Sequence, residues 1–260
     1  MRVPVRLIAL DLDGTLLNSD KAITPASLSV LEQCRRAGIL VVLATARSMH
    51  AAGPYIRAVQ PDAVISNGGA LLRAGERTLY ERLLPSDQTA ALIAAWRETA
   101  GAADEMSVQT PQGYYWNLLS TPEPQSPYGD AIYTDFKDFA QDAYKVTAQL
   151  KDEAAALALQ QYAPLCSVLG FSGGNRYRFA HRDATKEAAL KCLLTHLGIP
   201  PQQTAAIGDD MNDLGMIRLC GLGVAMGNAI QKLRLEADVI ADDNDHDGVA
   251  KLIRQRILPQ

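Results

Sequence analysis

Asp11 and Asp13 stand two residues apart, directly after the apolar run Leu7-Ile8-Ala9-Leu10 and just before Gly14-Thr15. On an extended segment, side chains two apart point to the same side, so these carboxylates can converge on one point. Two carboxylates that close repel, and the pair needs a shared proton or a cation. A second acidic group, Gly208-Asp209-Asp210-Met211-Asn212-Asp213, follows the apolar stretch Thr204 to Ile207 in the same way. Thr45-Ala46-Arg47 follows Ile39 to Ala44, and Lys186 opens a helix-like stretch. Clustered carboxylate and carbonyl oxygens suit a hard ion, with Mg²⁺ the first choice where phosphate is also bound. Lys186 would add a compact positive charge, and a helix N-terminus adds N–H donors. Carboxylates, a divalent ion, a hydroxyl and a lysine together describe a phosphoryl-transfer site.

For these groups to meet, the apolar runs before them must lie side by side. Each run reads as a fully buried strand of a parallel sheet. Thr24-Pro25 reads as an N-cap with proline at the first helical position, for a helix ending near Ala37 and Gly38. A second helix spans about Ser48 to Val59, and a third strand, Ala63 to Ile65, ends at Ser66-Asn67-Gly68-Gly69. Strands alternating with helices give βαβ units. After Thr185 the rhythm resumes with a helix from Lys186 to Leu197 and strands at Thr204, Leu222 and Asp238. The fold class is therefore α/β, a doubly wound parallel-sheet, Rossmann-like core. In such a sheet ligands bind at the carboxyl ends of the strands, where Asp11, Thr45 and Asp209 fall.

The middle of the chain reads differently. Helix-like stretches (Asp87 to Ala100, Lys151 to Tyr162) mix with strand-like ones (Glu105 to Thr110, Gly113 to Leu118, Tyr144 to Leu150). Two further strands flank Ser172-Gly173-Gly174 as a hairpin. The expected organisation is a discontinuous core, residues 1–83 and 184–260, interrupted by an α+β cap domain, residues 84–183. The proline-containing stretch Thr121 to Gly129 reads as an exposed excursion.

Composition narrows the function classes. The 260 residues hold 29 acidic and 25 basic side chains, a net charge of −4 with no basic footprint, so nucleic acid is not an expected partner. The longest apolar run is too short to span a bilayer, and no signal peptide is expected. Cys34, Cys166, Cys192 and Cys220 lie far apart with no CxxC, which reads as free thiols of a cytoplasmic protein.

Asp11-Leu12-Asp13-Gly14-Thr15, Thr45-Ala46-Arg47, Lys186 and Gly208-Asp209-Asp210-Met211-Asn212-Asp213 resemble, in order, the four motifs of the haloacid dehalogenase superfamily. Ser66-Asn67-Gly68, Val224-Ala225-Met226-Gly227-Asn228-Ala229 and Asp247-Gly248-Val249-Ala250 are similar to its Cof-type branch of large-cap phosphatases. The resemblance implies a Mg²⁺-dependent phosphatase of small phosphorylated metabolites, with sugar phosphates first, and a cap that closes over the crevice. Asp11 would be the nucleophile and Asp13 the general acid and then base. Mg²⁺ would be held by Asp11, the carbonyl of Asp13, and Asp209. Thr45, the amide of Ala46, and Lys186 would hold the phosphoryl oxygens. Arg47 is a candidate phosphate- or substrate-binding residue, although an arginine at a helix start is more often a surface or salt-bridge residue. Asp213 and Asn212 would orient Lys186 and the metal's water shell, and Asn67 would line the site. Ala46 and Glu187 stand where the branch often has glycine.

Alternatives on the same fold are a sugar phosphomutase and a catalytically silent binding module. Asp243-x-Asp245-x-Asp247-Gly248 imitates the start of an EF-hand loop, but its twelfth position is Arg254, so a polar loop is the better reading. The four histidines show no ligand spacing, and only His181 falls near the cap hinge. Oligomeric state has no signature in the sequence.

Overall fold

A computed structural model describes residues 4–101, 104–118, 131–171 and 174–258. The chain divides into two compact units, Met1–Tyr80 with Thr185–Gln260, and Glu81–Ala184. The first segment holds β1 (Leu7–Leu10), α1 (Pro25–Arg36), β2 (Leu40–Ala44), α2 (Met49–Val59), β3 (Ala63–Ser66), β4 (Leu71–Ala74) and β5 (Arg77–Glu81). The interrupting unit holds α3 (Ser86–Thr99), β6 (Met106–Gln109), β7 (Tyr114–Trp116) and β8 (Ile132–Tyr133). It continues with β9 (Lys145–Gln149), α4 (Glu153–Gln160), β10 (Cys166–Gly170) and β11 (Arg176–His181). The chain then returns through α5 (Lys186–Leu197), β12 (Thr204–Gly208), α6 (Leu214–Leu219), β13 (Leu222–Ala225), α7 (Gln231–Glu236), β14 (Val239–Ile240) and α8 (Gly248–Arg256).

In the first unit the strands form one sheet in the order β14-β13-β12-β1-β2-β3-β4-β5. Neighbours from β14 to β3 are parallel and β4 pairs antiparallel to β3. The chain fills the β2 side of β1 first and the β12 side last. Strand order therefore reverses between β1 and β12, the place where a doubly wound sheet opens a crevice at its carboxyl edge. Register puts Leu10 beside Ile207, so the residues just beyond these strands, Asp11 and Gly208-Asp209, leave the sheet together. Helices on both faces explain why β1 is wholly buried, with Leu7, Ile8 and Leu10 at zero exposure. Burial of each such side chain stabilises the fold by about 1.5–3 kcal/mol.

Local signals account for the helix starts. The Thr24 and Ser48 hydroxyls accept from the amides of Ser27 and Ala51, and Pro25 occupies the first turn of α1. Thr185 caps α5 through Ala188, and Gly198 ends that helix in the left-handed region. Two strands on the β3 side of the sheet, β4 and the edge strand β5, have no counterpart in the sequence reading. They are short, and Arg73, Arg77 and Glu81 break their apolar pattern.

The second unit is an α+β fold with the sheet order β10-β11-β9-β6-β7-β8, antiparallel except for β7 and β8. Its core gathers Leu92, Trp96, Val108, Val146 and Phe179, with Tyr115 packed edge-on to Phe139. The excursion read at Thr121 to Gly129, and Ser172 and Gly173 of the hairpin, lie outside the described residues. No helix among the described residues is long and apolar enough to cross a membrane.

Candidate active site

Asp11 begins where β1 ends, and its amide still donates to the Ile207 carbonyl across the β1–β12 gap (3.1 Å). The chain then turns at Gly14, whose φ of +77° places it in the left-handed region. A Cβ at Gly14 would land on the Asp209 carboxylate, and one at Gly208 on the Asp213 side chain. Both glycines thus let the two acidic loops pack against each other. Thr15 Oγ1 donates to Asp209 Oδ1 (2.9 Å), and Asn228 Nδ2 donates to the Gly14 carbonyl (2.8 Å), fastening the turn. Asn228 would otherwise read as the N-cap of the next helix, but α7 starts after Ile230 and leaves Asn228 to the turn.

Lys186 reaches the same point from the start of α5. Its Nζ donates to Asp11 Oδ1 (2.5 Å) and to Asp213 Oδ1 (2.6 Å), with only 2% of the lysine exposed. Asp213 Oδ2 accepts from the amides of Asp209 (3.0 Å) and Asp210 (3.1 Å), so both of its oxygens are engaged. Close backbone approach sets the position of α5. Gly69, at φ +106°, lies so near the Thr185 carbonyl and the Lys186 amide that any Cβ would collide with them.

Three carboxylates around one ammonium leave an excess of negative charge. Burial, reinforced by Asp213 and Asp209 and only partly offset by Lys186, pushes Asp11 well above the usual carboxylate range. Burial and Asp213 push Asp209 up to about 6. Burial alone would pull Lys186 down, but the Asp11 and Asp213 carboxylates outweigh it and hold the lysine above its ordinary value. Carboxylate oxygens of Asp11, Asp209 and Asp213 come within 4.8 Å of one another. A cluster of hard oxygens with surplus charge fits a divalent metal ion. Both Asp213 oxygens also accept hydrogen bonds, from Lys186 and from the Asp209 and Asp210 amides.

This charge balance has a measurable consequence. Asp209 binds its proton more tightly folded, at about 6, than unfolded, at about 4. Stability is therefore full below that window and falls as pH rises through it. Without metal, Asp209→Asn is expected to melt above the wild type at pH about 7.5, by about 1–2 kcal/mol, and to show no gain at pH about 4.5. Added divalent ion should stabilise the wild type more than the variant. Scanning calorimetry at the two pH values checks both; a variant less stable than wild type at the higher pH would contradict this account.

Asp13 faces a different set of groups. Arg47 grips it bidentately, Nε to Oδ2 at 2.6 Å and Nη2 to Oδ1 at 2.7 Å, and Lys21 Nζ adds a third donor at 3.1 Å. Burial alone would raise Asp13, but the guanidinium wins and its carboxyl lies below the usual range. Arg47 thus lies on Asp13, with its own amide donating to Thr45 Oγ1 (3.1 Å). Thr45 is buried at the end of β2, with its carbonyl accepting from Gly68 (3.0 Å). Ala46 is not among the residues with positive φ, so alanine in place of glycine costs no backbone strain there. Asn67 is buried at φ +52°, donates its backbone amide to the Arg47 carbonyl (2.8 Å), and keeps an Oδ1 that accepts no hydrogen bond among the described residues. Asn212 lies in the single turn Met211–Asp213, with no side-chain hydrogen bond among the described residues. His181 belongs to the interrupting unit, where its Nδ1 accepts from the Asp183 amide.

Thr15, Lys21, Tyr55 and Asn228 also belong to this assembly, and sequence reasoning missed them. Only Thr15 and Asn228 had a signal, as members of the quoted motifs.

Comparison with known proteins bears directly on this arrangement. The family model of haloacid dehalogenase-like hydrolases matches residues 8–253. The chain belongs to this family. The hydrolase is 30% identical over 282 residues to the phosphatase YwpJ of Bacillus subtilis, covering 96% of this chain and 99% of the relative. It is 27% identical over 269 residues to the pyridoxal phosphate phosphatase YbhA of Escherichia coli, covering 97% and 99%. A haloacid dehalogenase-like hydrolase from Bacteroides thetaiotaomicron superposes with a TM-score of 0.83 at 26% identity, over 96% of this chain and 99% of that one. The chain is a phosphoric monoester hydrolase of the Cof-type branch.

Proposed function

We propose that this hydrolase releases phosphate from small phosphorylated metabolites, sugar phosphates foremost, in a Mg²⁺-dependent reaction through an aspartyl-phosphate on Asp11. The observation that carries the reading is the state of the Asp11 carboxylate. It is buried at the switch point, its Oδ1 is fixed by Lys186, and its Oδ2 accepts no hydrogen bond among the described residues. A carboxylate oxygen held in place on one side and open on the other is poised for attack on phosphorus.

In the first step Asp11 Oδ2 forms a bond to phosphorus as the bond to the leaving oxygen breaks. A substrate phosphoryl monoanion brings the proton that Asp13 passes to that oxygen. In the second step Asp13, held ionised by Arg47, takes a proton from water as the water attacks the phosphorus and frees Asp11. Lys186, the Thr45 hydroxyl and the Ala46 amide meet the phosphoryl oxygens, and Asp213 keeps Lys186 in place. Asn67 offers its Oδ1 to substrate, and Asn212 orients water around the ion. Asp11, Asp209 and the Asp13 carbonyl would hold Mg²⁺. Bound there, the ion neutralises charge on the carboxylates and the phosphoryl group.

The test is phosphate release from p-nitrophenyl phosphate and a panel of sugar phosphates and other monophosphates, with Mg²⁺ and with EDTA. Expected are turnover only with the divalent ion and the highest kcat/KM among sugar phosphates. Turnover undiminished by EDTA would remove the metal from the mechanism, and a clear preference for another ester class would replace the substrate assignment.

A further inference from the structure

Asp13 is held by two cations, and one aromatic side chain touches the supports of both. Tyr55, two turns into α2 from its Ser48 cap, places its ring under the Arg47 guanidinium, 5.0 Å from ring centroid to Cζ. Its hydroxyl donates to the backbone carbonyl of Lys21 (3.2 Å). Lys21 stands in the left-handed region at φ +58°, in a turn closed by its amide on the Asn18 carbonyl and by the Ala22 amide on Asn18 Oδ1. That turn aims the ammonium at Asp13 Oδ1. One residue of α2 therefore steadies the bidentate partner of Asp13 through its ring and the second partner through its hydroxyl.

We propose that Tyr55 is a positioning residue for the hydrolytic half of the reaction, acting through Arg47 and the Lys21 turn to fix the orientation of Asp13 toward the attacking water. The inference rests on the aspartyl-phosphate reading above. Its physical basis is directional. A guanidinium chelating both oxygens fixes the plane of a carboxylate, and an aromatic face beneath the guanidinium fixes the guanidinium. Without the ring, Arg47 regains rotamer freedom, and the lone pair that must meet the water wanders with it. Among the described residues no hydrogen bond or ring contact joins Tyr55 to Asp11 or Lys186, so phosphorylation by an ester with a good leaving group is spared.

Rapid-quench kinetics separates the two halves. The protein is pulsed with radiolabelled p-nitrophenyl phosphate in Mg²⁺ and chased with excess unlabelled ester, and protein-bound phosphate is followed in time. For Tyr55→Leu, decay of the phosphoprotein is expected to slow about tenfold, the worth of a half-buried cation–π contact, with the rate of phosphorylation changed less than twofold. Tyr55→Phe, which keeps the ring, should restore most of the decay rate. Unchanged decay in Tyr55→Leu, or equal slowing of both halves, would overturn the inference while the wild type still forms phosphoprotein. A wild type that turns over with no phosphoprotein, at any quench time, would overturn the aspartyl-phosphate reading and this inference with it.

Discussion

Asp11→Asn is expected to reduce phosphate release by about 10³-fold or more, with the folded protein intact. The substitution keeps the shape of the side chain and an oxygen for Lys186, but it removes the charge that makes the group a nucleophile. Stability should not suffer. Asp11 is buried beside two other carboxylates and held well above the usual range, so its ionised form is the costly one. Asparagine relieves that repulsion, and Lys186 retains Asp213 as its counter-ion. Metal-free melting temperature should therefore stay level or rise at pH about 7.5, by the same linkage that applies to Asp209. Loss of turnover with a retained melting transition would separate chemistry from folding. Turnover at the wild-type rate would mean that Asp11 is not the nucleophile.

Lys186→Met has the largest expected effect on stability. Methionine fits the length of the cavity, but it leaves Asp11 and Asp213 buried, at 6% and 1% exposure, with no cation between them. Breaking a buried pair by removing one partner costs about 3–5 kcal/mol. For a chain of this size that is a fall in melting temperature of roughly 10 °C. The sign with pH follows from the carboxylates that remain. Without the ammonium the folded pKa of Asp11, already raised by burial, rises further, so the variant regains stability as pH falls and loses it as pH rises. The deficit should therefore be large at pH about 8 and shrink toward pH about 5. Activity should fall as well, since the same ammonium meets the phosphoryl oxygens in the proposed mechanism. Thermal melts at the two pH values check the prediction; equal melting temperatures for variant and wild type at pH about 8 would show that the buried charges are compensated from elsewhere.

The candidate site was legible in the sequence to the extent that its residues follow buried strands. Asp11, Thr45 and Asp209 each come directly after an apolar run, and a parallel sheet has to deliver all such positions to one edge. Lys186 was legible because Thr185 caps its helix, which puts the lysine at the first turn. The interrupting unit was legible as a change from βα alternation to hairpin-joined strands. Strands β4 and β5 were not, because segments of four and five residues interrupted by Arg73, Arg77 and Glu81 have no strong apolar period.

By itself, then, the sequence determined the order of strands and helices, the acidic groups at their ends and the family to which they belong, since all of these are written within windows of a few residues. Only the tertiary structure decided how those groups pair. That Lys186 bridges Asp11 and Asp213 and that Arg47 lies on Asp13 depend on residues separated by tens to nearly two hundred positions. Tyr55 carried no chemistry in its local sequence and Asn228 only membership of a motif, and their contacts exist only where α2 and the β13–α7 connection reach the turns after β1. Spacing along a strand reports which way a side chain points, whereas its partner is chosen by chain packing from the other side.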